Sequence, residues 1–66
     1  MFIELGELVY KNGGYITYPV CCNTDEISNI QDCDGGYGPD YCLVTMKNGK
    51  QYKVRDNYRD IMAKLK

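Results

Sequence analysis

Short runs rich in apolar, β-branched and aromatic residues recur along this chain, and the breaks between them fall on residues that favour turns. Residues 2–10 are rich in β-branched and aromatic side chains and predict a first strand. Lys11-Asn12-Gly13-Gly14 follows, a turn sequence whose Asn and Gly tolerate positive φ. Residues 15–22 resume the strand pattern. Side chains alternate along a strand, so Ile16, Tyr18, Val20 and Cys22 share one face, expected to be the core face. Pro19 marks this strand as an edge or a bulge, since proline has no N–H to give to a ladder. Asn23-Thr24-Asp25-Glu26 reads as a tight turn in which Asn and Asp side chains bond their own backbone. Residues 27–31 read as a short third strand, and residues 32–40 as a loop rich in acids and glycines.

Residues 41–46 and 51–55 form a hairpin across Asn48-Gly49 whose register can be argued. A two-residue turn would set Val44 opposite Lys53 and Cys42 opposite Arg55. A three-residue loop with Gly49 in the left-handed region sets Val44 opposite Tyr52 and Cys42 opposite Val54. The second register gathers Cys42, Val44, Met46, Tyr52 and Val54 on one face, whereas a one-residue slip puts lysine opposite the core residues. The three-residue loop is therefore expected. Asn57 then caps a terminal helix, with Asp60 in the capping-box position and an apolar stripe of Tyr58, Ile61, Met62 and Leu65. So short a helix cannot persist alone in water and must dock on the sheet. The expected fold is mainly β (α+β): one domain, 1–66, with a small five-stranded antiparallel curved sheet or partial barrel and one C-terminal helix.

Three strings carry a resemblance to a known family: Asn23-Thr24-Asp25-Glu26-Ile27-Ser28-Asn29-Ile30, Val44-Thr45-Met46-Lys47-Asn48-Gly49-Lys50, and Val54-Arg55-Asp56-Asn57 with Ile61. Together they resemble the FlbD-like small proteins of flagellar operons and their phage and mobile-element versions, and Phe2-Ile3-Glu4-Leu5 is similar to the start of the phage type. The first hairpin is longer here, and the loop 32–40 is longer and more acidic. The resemblance implies a small sheet or partial barrel with a C-terminal helix and supplies no catalytic residue.

Residues 1–45 hold one base, Lys11, against seven acids, a net of −6; residues 46–66 hold seven bases against Asp56 and Asp60, a net of +5. The overall −1 conceals two opposed segments, which points to charged partners or to head-to-tail homo-oligomers. A chain of 66 residues buries only about 60% of its unfolded surface, so a disulfide, a metal or a partner subunit often assists. No apolar stretch approaches the ~18 residues of a membrane span, and the first residues lack the basic and apolar regions of a secretory signal. No membrane partner is expected, and the cytoplasm of a bacterial host cell is the expected compartment.

The cysteines do not form a metal pattern. Cys21 and Cys22 are adjacent on a strand and point to opposite faces, Cys33 and Cys42 add no C-x-x-C spacing, and there is no histidine. Four free thiols are expected, a Cys33–Cys42 bridge being the alternative. Gly35-Gly36-Tyr37-Gly38-Pro39-Asp40 fits the repeat unit of calcium-binding β-rolls, but a single copy cannot build that site. Counted as an EF-hand from Asp32, position 12 is Leu43 rather than a glutamate. The loop is expected to be a mobile hairpin loop, with a weak cation site at Asp32, Asp34 and Asp40 as the alternative; no cofactor is expected.

Without histidine, and with Ser28 as the only serine, neither a Ser–His pair nor an activated cysteine can be assembled, and no enzyme is expected. The expected function is that of a non-catalytic small binding protein, a phage or mobile-element accessory factor inhibiting a host protein. In its concrete form it is an anti-defence, anti-CRISPR-like acidic decoy, in which Asp32, Asp34, Tyr37 and Asp40 engage the basic surface of the host protein. One rival is a nucleic-acid or nucleotide binder using Lys53, Arg55, Arg59 and Tyr41. A structural homo-oligomer or flagellar accessory protein is the other.

Overall fold

The computed structural model describes residues 1–66. Five strands, β1 (Phe2–Lys11), β2 (Gly14–Asn23), β3 (Ile27–Cys33), β4 (Tyr41–Met46) and β5 (Gln51–Val54), precede a single helix, α1 (Tyr58–Lys64). They form one curved, unclosed antiparallel sheet in the order β2-β1-β5-β4-β3.

The turns follow from residues that accept positive φ. Asn12 (φ 53°) and Gly13 (φ 79°) make a two-residue turn of the mirror-image type that suits the twist of a hairpin. Gly49 (φ 91°) sits in the left-handed region, Gly49 N–H donates to Met46 O and Met46 N–H to Lys50 O, and the three-residue loop results. Val44 accordingly faces Tyr52 and Cys42 faces Val54, the register that keeps Lys53 and Arg55 off the core face. Between β2 and β3 the expected tight turn is a single 3₁₀ turn, Thr24–Glu26, capped by Asn23 Oδ1 accepting from Asp25 N–H.

Ile3, Leu5, Cys22, Cys42, Val44, Val54 and Ile61 form the core between one face of the sheet and α1. Asn57 caps α1 by accepting from Arg59 N–H at 2.8 Å; Asp60 makes no return bond, so the capping box is not completed. Ile61 is fully buried, Met62 and Leu65 pack against the core, and Tyr58 stays exposed.

Three expectations need correction. The third strand runs on through Asp32 and Cys33, which pair with Cys42 and Tyr41, so the loop shrinks to residues 34–40. Ile16 and Tyr18 lie on the face of Cys22 and Val20 but are 39% and 41% exposed, because β1 and β2 run on beyond the part of the sheet that α1 covers. Finally, the division of charge along the chain is not a division in space: β5, which carries Lys53 of the basic segment, is the central strand, flanked on each side by strands of the acidic segment.

Candidate functional site

The acidic loop is organised by its own carboxylates. Asp34 Oδ1 accepts from Gly36 N–H at 2.8 Å, Asp40 Oδ1 from Gly35 N–H at 3.3 Å, and Gly38 N–H donates to Gly35 O at 3.0 Å. Gly36 takes a φ of 64°, which a side chain would strain. Gly38 rests on the Tyr15 ring: a Cβ there would lie 3.1 Å from the tyrosine oxygen. The loop therefore has a defined shape and leans on the first hairpin. Tyr37 projects from its tip, fully exposed.

Of the four residues read as a protein-binding site, Asp32, Asp34 and Asp40 come together with Cys33 around an open cleft of about 320 Å³. Asp32 belongs to β3 rather than the loop and faces Cys42, whose Sγ donates to Asp32 Oδ1 at 4.0 Å. No three Cys, Asp or Glu side chains converge as a metal ion would require.

The basic residues are dispersed. Lys53 lies on the sheet face opposite the core, across from Leu43, with its Nζ 5.0 Å from the centre of the Tyr41 ring. Arg55 lines a cleft of about 230 Å³ shared with Tyr41, Asn57, Tyr58 and the carboxylates Asp32, Asp40 and Asp56. Arg59 belongs to α1, which packs on the other face of the sheet from Lys53. Lys53, Arg55, Arg59 and Tyr41 thus do not form one continuous surface, and acids stand beside Arg55.

The thiols are all free. Cys21 is exposed and Cys22 buried, as alternation demands. A Cys33–Cys42 bridge is excluded by the register: Cys42 pairs with Asp32 and Cys33 with Tyr41, one position along, so the two sulfurs leave opposite faces. Burial raises the Cys42 thiol above its ordinary value, and the Asp32 carboxylate raises it further; burial, then Cys21 and Glu7, raise Cys22. Both stay protonated at neutral pH, the opposite of an activated nucleophile.

Sequence reading overlooked Asp56. Its Oδ1 accepts from Gly6 N–H at 2.6 Å, and its Oδ2 is 3.6 Å from Lys64 Nζ, which also donates to Glu4 O at 3.0 Å. This clasp ties the strand-to-helix junction and the end of α1 to β1. The signal that could have found it was Gly6, an isolated glycine in a strand, which marks a close backbone approach. A Cβ at Gly6 would lie 2.5 Å from Thr17 Cγ2 and 3.5 Å from Asp56 Oδ1.

No family model matches the chain, and no curated protein or solved structure is similar to it.

Proposed function

We propose that this protein is a non-catalytic binding protein that uses the 34–40 loop, with Asp32 beside it, to occupy a basic surface on another protein. The observation that carries the reading is the fully exposed Tyr37 on a loop whose shape is fixed by its own aspartates. A preformed loop avoids the ordering cost of association, and tyrosine is among the side chains that dominate interfaces. Asp32, Asp34 and Asp40 supply a field that speeds encounter with a basic partner and makes it salt-sensitive. The resemblance to phage and mobile-element proteins supports a host protein as that partner, with the acidic loop acting as a decoy for nucleic acid. A nucleic-acid surface at Arg55 and Tyr41 is the less favoured reading, since a phosphate there would meet Asp32 and Asp40.

The test is a binding titration against purified basic nucleases of bacterial hosts, alongside gel shifts with single-stranded and duplex oligonucleotides. Binding is expected to weaken with salt and to vanish when Asp32, Asp34 and Asp40 are all changed to lysine. Tyr37→Ala is expected to weaken it at least ~10-fold, the loss typical of an interface anchor. Binding that survives the triple reversal ends the decoy reading. A shifted oligonucleotide would transfer the function to the basic residues.

A further inference from the structure

The sheet has two free edges, and they are built differently. β3 is interrupted by a bulge at Ser28 and carries Asp32, while β2 is ten residues long, regular in its pairing with β1, and free of charged side chains from Gly14 to Asn23. Natural sheets usually blunt such an edge with lysines, bulges or short strands, because its unpaired N–H and C=O groups are a template for another strand. β2 has only Pro19.

The hydrogen-bonding phase of that edge is fixed. A two-residue turn closes on a hydrogen-bonded pair, here Lys11 and Gly14, and bonded and unbonded pairs then alternate. Ile16, Tyr18, Val20 and Cys22 turn their backbone groups toward β1; Tyr15, Thr17, Pro19 and Cys21 turn theirs to the open side. Gly6, opposite Pro19, agrees with this phase. Its N–H goes to Asp56 and its C=O accepts from Arg55, both away from β2.

We propose that β2 pairs antiparallel with β2 of a second copy of the chain about a two-fold axis at Ile16, joining the two sheets into one of ten strands. In this register Tyr15 and the partner's Thr17 exchange both backbone bonds, and the symmetric pair does the same. Ile16 faces the partner's Ile16, and Tyr18 faces the partner's Gly14, where the space beside the backbone is open. Pro19 falls opposite the turn, outside the bonded stretch. An axis at Tyr18 or Pro19 would set the proline, which lacks an N–H, at a position that has to donate.

The side chains agree with the same register. On the core-side face Val9, Ile16, the partner's Ile16 and the partner's Val9 form one apolar row, which covers the exposed Ile16. On the other face Leu8 and Thr17 continue into the partner's Tyr15 and Tyr10. The charged residues nearest the seam are Glu7 and the partner's Lys11, in one row and of opposite sign, and no like charges meet. This edge touches the acidic loop only where Gly38 rests on the Tyr15 ring, and the proposal is carried by the β2 backbone, so it stands whether or not that loop binds a basic protein.

Disulfide mapping in a Cys21→Ser background tests the proposal. Residues facing each other in an unbonded antiparallel pair have Cα atoms ~4.5 Å apart, within disulfide reach, so Ile16→Cys places two thiols across the axis. Tyr18→Cys, on the same strand and face, meets the partner's Gly14 instead. Mild oxidation is expected to link most of the Ile16→Cys protein into dimers and little of the Tyr18→Cys protein. Sedimentation of the unaltered chain is expected to rise from one chain to two with concentration. Ile16→Lys, at a position outside the core, is expected to keep its circular dichroism and stay at one chain. A one-chain mass up to ~1 mM, or equal linking at positions 16 and 18, overturns the proposal. So does a chain that remains single yet adds a foreign strand at this edge.

Discussion

The long hairpin β1–β2 and the short hairpin β4–β5 share one motif and have opposite fates. The short one places Cys42, Val44 and Val54 in the core, each essentially inaccessible to water. The long one has ten paired rungs, but it gives the core only Ile3, Leu5 and Cys22, all at one end; Leu8, the hairpin's other buried residue, lies on the opposite face of the sheet. Beyond the pair Glu7–Val54 it shares no rung with β5. The cause is the reach of α1. Seven helical residues span ~10 Å, against ~33 Å for a ten-residue strand, so α1 is too short to cover the long hairpin from end to end. Hydrogen-bonded length and buried length are therefore different quantities here, and only the second holds the fold.

Truncating a core side chain of the long hairpin tests that distinction directly. Leu5→Ala should cost ~2–5 kcal/mol, comparable with the ~3–5 kcal/mol that so small a core supplies, leaving much of the protein unfolded in a urea titration. Ile16→Ala, on the same face of the same hairpin, should stay within ~0.5 kcal/mol in dilute solution. Equal losses would mean that the tip of the hairpin is covered in the single chain after all. Next comes the clasp that joins the long hairpin to the helix. Asp56→Ala leaves the part-buried Gly6 N–H without an acceptor and should cost ~1–3 kcal/mol, whereas Lys64→Ala removes a half-exposed ion-pair partner and should cost under ~1 kcal/mol. A reversed order would show that the ion pair, not the backbone bond, anchors β1.

The smallest effect is alkaline. Each hairpin buries one thiol, Cys22 or Cys42, with its titration raised chiefly by burial. Unfolded thiols lose their protons first, near pH 9, so the folded state then holds more protons and stability falls as pH climbs past that point. Urea midpoints followed from neutral pH upward should decline beyond about 9 and flatten once both cysteines are changed to alanine. An unchanged decline in that double variant would assign it to other groups.

Much of the architecture was legible because local chemistry dictates it. Lysine and arginine are kept off the core face, so the β4–β5 register follows from Lys53 and Arg55; Asn12-Gly13 and Asn57 announce a turn and a cap. What escaped was everything that depends on elements distant in sequence. Nothing in residues 51–54 says that β5 lies between β4 and β1, and that placement interleaves the acidic and basic segments. The same gap left Ile16 and Tyr18 assigned to the core, since alternation tells which face a residue is on but not where the covering helix stops. For the candidate site, Asp34, Tyr37 and Asp40 were visible as a loop, but its internal bonding depends on the conformations of Gly35, Gly36 and Gly38. Arg59 and Lys53 are close in sequence to Arg55, and only the packing of α1 separates them.

β5 has a further consequence for how the molecule comes into being. Four residues near the C-terminal end of the fold stitch the first hairpin to β4, so a nascent polypeptide holds two unjoined ribbons until Val54 has left the ribosome. Assembly is then a single late event in which strand, clasp and helix arrive almost together.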